Sequence, residues 1–149
     1  MATFYLLVGI PGSGKSTYAK ELSKKTNGHI ISSDDIRTEL FGSRHITKND
    51  KKVFKLMRKR IVDSLQNGID VICDATNVTP GRRASFLGDI CKINCKKVAI
   101  VVNRDVKTCI TQNQLRSSEC QAPPVAIYTS AKRFVYPTLD EGFDEIMEV

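Results

Sequence analysis

No apolar run in the 149 residues approaches the about 20 residues that a membrane-spanning helix needs. An integral helical membrane protein is therefore not the expected reading. The start, Met1 to Val8, lacks a charged leader segment and runs straight into a glycine loop. It reads as a strand rather than an export signal, and a cytoplasmic location is the expectation that follows. Histidine is scarce. His29 and His45 lie far in sequence from the cysteines Cys73, Cys91, Cys95, Cys109 and Cys120. Cys91 and Cys95 fit one helix face, but without a nearby histidine no zinc site is expected. An odd, irregularly spaced cysteine set is not a disulfide framework, so reduced, packed thiols are expected. Repeats, low-complexity tracts and interdomain linkers are also missing, which leaves one domain over residues 1–149.

Basic residues are absent from the last ten positions, where Asp140, Glu141, Asp144, Glu145 and Glu148 cluster. The whole chain has 23 Lys and Arg against 16 Asp and Glu, a net +7. Residues 1–138 hold the same 23 basic groups against 11 acids, or +12. A basic body of this kind suits a polyanion such as nucleic acid, though a generic basic surface has the same composition.

Strand and helix patterns alternate. Short apolar runs at 3–8, 29–32, 69–73 and 98–102 read as buried parallel strands, with a last short strand within 143–149. Helices are expected at 15–25, 34–41, 47–67, 80–91, 105–116 and 125–134. Thr79 and Pro80 suit the N-cap and first turn of the fourth. The result is an α/β sandwich of three layers with a four- or five-stranded parallel sheet and a helical lid over about 112–124. In such sheets ligands bind beyond the carboxyl ends of the strands. Residues 9–16, Asp34, residues 74–77 and residues 103–105 all fall there.

The sharpest motif is Gly9-Ile10-Pro11-Gly12-Ser13-Gly14-Lys15-Ser16, followed by Thr17. It fits the P-loop pattern between a strand and a helix. Its glycines let backbone N–H groups turn toward phosphate oxygens, and the helix N-terminus adds partial positive charge. Gly12, Ser13, Gly14, Lys15, Ser16 and Thr17 are thus the expected nucleotide-binding set. Lys15 is expected between β- and γ-phosphates, and Ser16 on Mg²⁺. ATP, or another NTP, and Mg²⁺ are the implied cofactors.

Ser33-Asp34-Asp35-Ile36-Arg37 follows the second strand. A carboxylate there can take a proton from an attacking hydroxyl, and Arg37, one helical turn on, can hold an anion on the acceptor. The plainer reading makes Asp34 an N-cap and Asp35–Arg37 a surface pair. Asp74-Ala75-Thr76-Asn77 ends the third strand and Arg82-Arg83 opens the next helix. Asp74 can orient water around a metal and Asn77 can donate to substrate; turn and cap roles are the plainer alternative. The paired arginines oppose the helix dipole, which favours a binding role. Arg116 precedes a loop of serines and prolines suited to a lid that brings one arginine to the γ-phosphate. Residues 44–60 hold eight basic groups and one acid, Asp50. Lys48, Lys52, Lys55 and Lys59 form a stripe that is either a solvated face or a phosphate-backbone contact surface.

Taken in order, Gly9–Thr17, Ser32–Arg37, Asp74–Arg83, Arg116 and Pro137–Asp144 resemble the kinase domain of phage-type polynucleotide 5′-kinases, across essentially the whole chain. The resemblance implies transfer of a γ-phosphoryl group to the 5′-hydroxyl end of RNA or DNA, in nucleic-acid end healing. It implies Asp34 as general base, Arg37 on the acceptor's 3′-phosphate, Arg116 on the transferring phosphoryl group, and Asp74 in a less defined role. Gln112-Asn113 departs from the family's Arg-Asn, which removes one positive lid contact. Many such relatives carry a phosphatase or ligase domain. This chain shows neither, which implies separate ligase or phosphatase partners or a fragment of a larger enzyme. Two other functions remain open on the residues alone: a small-molecule kinase acting on a sugar acid, nucleoside or antibiotic, and a nucleotide-binding module without turnover.

Overall fold

The computed structural model describes residues 1–149. Five strands are all parallel: β1 (Ala2–Val8), β2 (His29–Ser32), β3 (Val71–Asp74), β4 (Cys95–Val101) and β5 (Glu145–Glu148), in the order β2-β3-β1-β4-β5. The helices are α1 (Lys15–Thr26), α2 (Ser33–Phe41), α3 (Asp50–Gln66), α4 (Pro80–Ile90), α5 (Val106–Gln114) and α6 (Pro124–Arg133). None is long and apolar enough to cross a membrane.

The pleat explains the layers. Along β1, Phe4, Leu6 and Val8 join one core with Val53, Met57 and Ile61 of α3 and Phe86 and Ile90 of α4. Leu7, on the opposite face, packs with Ala19 of α1, Ile72 and Ile100. Side chains of period two thus feed two cores from one strand. Both faces are covered, as a parallel sheet requires. The α3 stripe Val53, Met57, Ile61 and Leu65 is fully buried, in the register expected from its apolar spacing.

Several boundaries differ from the sequence expectation. The third helix starts at Asp50, so Lys48 lies in the preceding turn and only Lys52, Lys55 and Lys59 of the stripe are helical. β4 begins at Cys95, because Lys96 and Lys97 pair with Thr3 and Phe4 of β1 although polar. The fifth helix ends at Gln114, which leaves Arg116 in the loop. Ser32, not Asp34, caps α2: its hydroxyl accepts from the Asp35 amide.

Arg83 is wholly buried. Its Nε donates to Glu141 at 2.7 Å and its Nη1 to the Asn77 carbonyl at 3.0 Å. The stretch 137–144 is built around this strut. Thr138 and Glu141 form a capping box, Gly142 takes the left-handed φ of 117°, and Asp144 accepts from the Lys97 amide. The binding role expected for Arg83 does not hold, because no part of it reaches solvent.

Candidate active site

Beyond β1 the chain turns through Gly12 (φ 84°) and Gly14 (φ 94°) into α1. A Cβ on Gly12 would stand 2.3 Å from the Cys109 carbonyl oxygen, so the loop runs directly against α5. Gly14 occupies the N-cap position and no side chain caps α1, which leaves its first amides for an anion. Lys15 is only 7 % exposed. Its ammonium donates to the Ile10 carbonyl at 3.0 Å. Burial pulls its pKa from 10.5 down to about 8; Asp74 resists this and Arg116 adds to it. The Ser13 hydroxyl is buried without a partner. An under-satisfied cation and an orphaned hydroxyl in one loop suit a phosphate chain.

Ser16 Oγ donates to Asp74 Oδ2 at 2.9 Å, which ties the start of α1 to the end of β3. Burial raises the Asp74 pKa against the opposing pull of Lys15 and Ser16. A hydroxyl and a carboxylate held together are a donor set suited to a hard cation and its waters.

Opposite the loop, Asp34 is held by two arginines. Arg37 Nη1 reaches Asp34 Oδ1 at 2.9 Å, and Arg44 Nη2 pairs with Asp34 Oδ2. Arg37 is itself gripped by Asp50, through Nε at 2.9 Å and Nη2 at 3.1 Å. Burial works against its charge, but the bonds and charges of Asp50 and Asp34 together outweigh it and raise its pKa. Three of the five guanidinium N–H donors are thereby used. Arg37 does not pair with Asp35, so the surface-pair reading fails.

Between α5 and α6 the loop folds over this region. Asn113, 4 % exposed, spans its base: Nδ2 donates to the Ala122 carbonyl at 2.8 Å, and Oδ1 accepts from the Ala122 amide at 2.9 Å. His45 Nε2 lies 2.8 Å from the Glu119 carbonyl, joining the α2–α3 loop to this one.

Lys15, Ser16, Asp34, Arg37, Asp74 and Arg116 line one cleft of about 420 Å³ with Phe54 and Thr76. A second cleft of about 540 Å³ lies on the other side of the glycine loop, lined by Gly12, Ser13, Gly14, Thr17, Gln112 and Arg116. Gly12 and Arg116 border both. Most predicted site residues therefore converge. Asn77 does not. It is 0 % exposed, takes a left-handed φ of 49°, and donates to the carbonyls of Leu7 at 2.8 Å and Ala75 at 3.3 Å. The expected substrate contact is replaced by a bond that anchors the turn to β1. Asp50 and Arg44 are not among the expected site residues. Asp50 carries one signal, as the lone acid of a basic stretch; Arg44 has none to set it apart from its neighbours.

A glycine loop between strand and helix, on a five-stranded parallel sheet, defines a P-loop kinase-like domain. The chain belongs to the AAA domain family, whose model matches residues 5–135. Among curated proteins it is similar to one from Autographa californica nuclear polyhedrosis virus, provisionally designated a bifunctional polynucleotide kinase/RNA ligase. The two are 25 % identical over 144 residues, covering 87 % of this chain and 20 % of the viral protein. The chain thus spans about one fifth of that relative's length. Among solved structures, a chain of the Pnkp1/Rnl/Hen1 RNA repair complex superposes with a TM-score of 0.79 at 23 % identity, over 89 % of this chain and 43 % of its own length. Kti12 of Chaetomium thermophilum, in complex with ADP-AlF3, gives 0.79 at 17 %, over 98 % and 88 %. A sugar kinase from Janibacter gives 0.76 at 12 %, over 99 % and 86 %. At these identities the structural likeness establishes the fold.

Proposed function

We propose that this chain is a polynucleotide 5′-hydroxyl kinase, which moves the γ-phosphoryl group of ATP to the 5′ end of an RNA or DNA strand. The observation that carries the reading is the pairing of Asp34 with Arg37 and Arg44 in the cleft that also holds Lys15, Ser16, Asp74 and Arg116. A base flanked by cations at the mouth of a phosphate loop suits a hydroxyl acceptor that itself carries phosphate. Similarity to the viral polynucleotide kinase/RNA ligase and to a chain of an RNA repair complex agrees with it. A sugar kinase of the same fold keeps the small-molecule acceptor as the competing reading.

Asp34 takes the proton of the 5′-hydroxyl as its oxygen bonds to the γ-phosphorus. The bond from that phosphorus to the β,γ-bridging oxygen breaks, and ADP leaves with the electron pair. The two spare donors of Arg37 hold the acceptor's 3′-phosphate. Asp50 fixes the guanidinium and so positions Asp34. Lys15 and Arg116 neutralise charge spread over the phosphoryl oxygens, with the amides of residues 12–17 around the β-phosphate. Ser16 and, through water, Asp74 would hold Mg²⁺, which supplies charge neutralisation between the phosphates. Positioning and electrostatics account for most of the rate.

The test is transfer of labelled γ-phosphate to 5′-hydroxyl RNA and DNA oligonucleotides, beside a panel of sugars, sugar acids and nucleosides. Transfer to the oligonucleotides that Asp34→Asn and Lys15→Ala abolish supports the reading. Transfer confined to a small acceptor overturns it, as does nucleotide binding with no turnover of any acceptor.

A further inference from the structure

A further groove of about 350 Å³ opens between the start of α4 and the outer side of α6. It shares Thr76, Ala126 and Ser130 with the cleft that contains Asp34, so the two run into each other. Its charged side chains are Arg82 and Arg133, and no acid lines it. Neither arginine belongs to any of the chain's eight ion pairs. Arg133 sits in the last turn of α6, where a cation already suits the helix dipole. Arg82 gains nothing of that kind. It lies near the N-terminus of α4, half-buried, with its guanidinium 3.6 Å from the centroid of the Phe54 ring. Burial lowers its pKa; the charges of Arg37 and Arg58 lower it further, and Asp50 pulls the other way. Holding an unpaired, partly desolvated cation among others costs free energy, which an anionic ligand recovers.

We infer that this groove carries the acceptor strand onward from the cleft, with phosphates beyond the 5′-terminal nucleotide lying along Arg82 and Arg133. The side chain of Val125, 68 % exposed on the groove wall, offers an apolar surface to a base. Thr129 and Ser130 line the same space, and a hydroxyl can donate to phosphate oxygens. This inference rests on the polynucleotide reading and adds a length requirement to it. A nucleoside 3′-monophosphate fills only the first cleft, whereas a longer strand also fills the groove.

The experiment compares kcat/KM for a 5′-hydroxyl nucleoside 3′-monophosphate with that for a longer 5′-hydroxyl oligonucleotide, and measures oligonucleotide binding by fluorescence anisotropy over a salt series. The wild type is expected to favour the longer acceptor. In Arg133→Ala that preference falls about tenfold, the size of one lost charge-assisted bond. The log–log salt slope becomes shallower by about 0.7, the value of one phosphate contact on a single strand. Arg82→Ala is expected to do the same, and Arg133→Ala keeps the test sound should loss of the Phe54 stacking disturb the cleft. An unchanged length preference and salt slope in Arg133→Ala overturn the groove while kinase activity stands. Length-dependent binding that Arg133→Ala weakens, without phosphoryl transfer, upholds the groove and overturns the kinase. A wild type that neither binds nor phosphorylates oligonucleotides overturns both.

Discussion

The ammonium of Lys15 makes one hydrogen bond within the chain, to the Ile10 carbonyl at 3.0 Å, and that carbonyl already accepts from the Ser13 amide at 3.2 Å. The buried cation is thus left with spare donors, at the expense of stability. Its pKa falls from 10.5 to about 8. Between those values the folded chain holds fewer protons than the unfolded chain, so stability rises with pH across that window. Below pH 8 the penalty is complete, about 3 kcal/mol at 1.36 kcal/mol per unit.

Lys15→Met is therefore expected to stabilise the nucleotide-free protein at neutral pH, raising its Tm by several degrees. The gain should shrink as pH climbs from 8 towards 10.5. The same variant should lose most of the about 2.7 kcal/mol that nucleotide at a hundredfold excess over Kd gives the wild type. Thermal melts with and without ATP and Mg²⁺, over a pH series, read both effects. A lower Tm for the nucleotide-free variant would contradict the desolvation account.

The glycines of the loop should separate in cost. At Gly12 a side chain meets both the positive φ of 84° and the Cys109 carbonyl at 2.3 Å. At Gly14 it meets only the φ of 94°, with nothing within 4 Å. Gly12→Ala is expected to cost at least about 2 kcal/mol, and Gly14→Ala about 1 kcal/mol. Gly81, in α4 with open space around it and no positive φ, should gain about 0.5 kcal/mol as alanine. Urea denaturation of the three variants gives the order directly.

The ion pair of Arg83 and Glu141 should behave as a buried strut. Breaking it by Arg83→Ala leaves a carboxylate and the Asn77 carbonyl without their partner, at a cost of about 3–5 kcal/mol. Burial raises the Glu141 pKa, but the Arg83 bond and the Thr138 amide outweigh it, so the value lies below the usual 4.5. Its contribution is present above that pH and is lost as pH falls through the depressed value. Once Arg83 is gone, burial acts with less opposition, and the deficit of Arg83→Ala should narrow in acid. Urea midpoints at neutral pH and near the carboxylate range check the sign.

These contacts mark where a sequence is readable. The phosphate loop is legible because its chemistry needs consecutive residues, and Asp34 with Arg37 because one helical turn separates them. The sheet follows from apolar runs that can only be buried. Arg37 with Asp50 and Asp34 with Arg44 depend on how the α2–α3 loop folds back, which no local pattern encodes. Arg83 and Glu141, 58 residues apart, belong to two motifs that read as parts of a site, yet their union is structural. Asn77 reads as available because it follows a strand end. It is instead buried at a positive φ of 49°, with its amide on the Leu7 carbonyl 70 residues away, a contact its neighbours in sequence do not encode.

Asn113 offers the sharpest way to separate the α5–α6 loop from the core. Its amide makes two bonds across the base of the loop, at 2.8 and 2.9 Å, from a position only 4 % exposed. The loop's other ties are weaker or nearer its tip: Gln121 Nε2 to the Arg116 carbonyl at 3.0 Å and His45 to the Glu119 carbonyl at 2.8 Å. Asn113→Ala removes both basal bonds and leaves the groups of Ala122 to water, a local loss of about 1–3 kcal/mol. Amides of residues 115–122 should then exchange about 10- to 100-fold faster, while those of β1 and β4 keep their protection. Asn113→Asp keeps the acceptor and loses the donor, so it should fall between. Arg116 rides on this loop and borders both clefts. If it meets the transferring phosphoryl group, the alanine variant loses more in kcat than it gains in KM. Unchanged exchange in the loop would mean that the α5–α6 packing, and not Asn113, holds it in place.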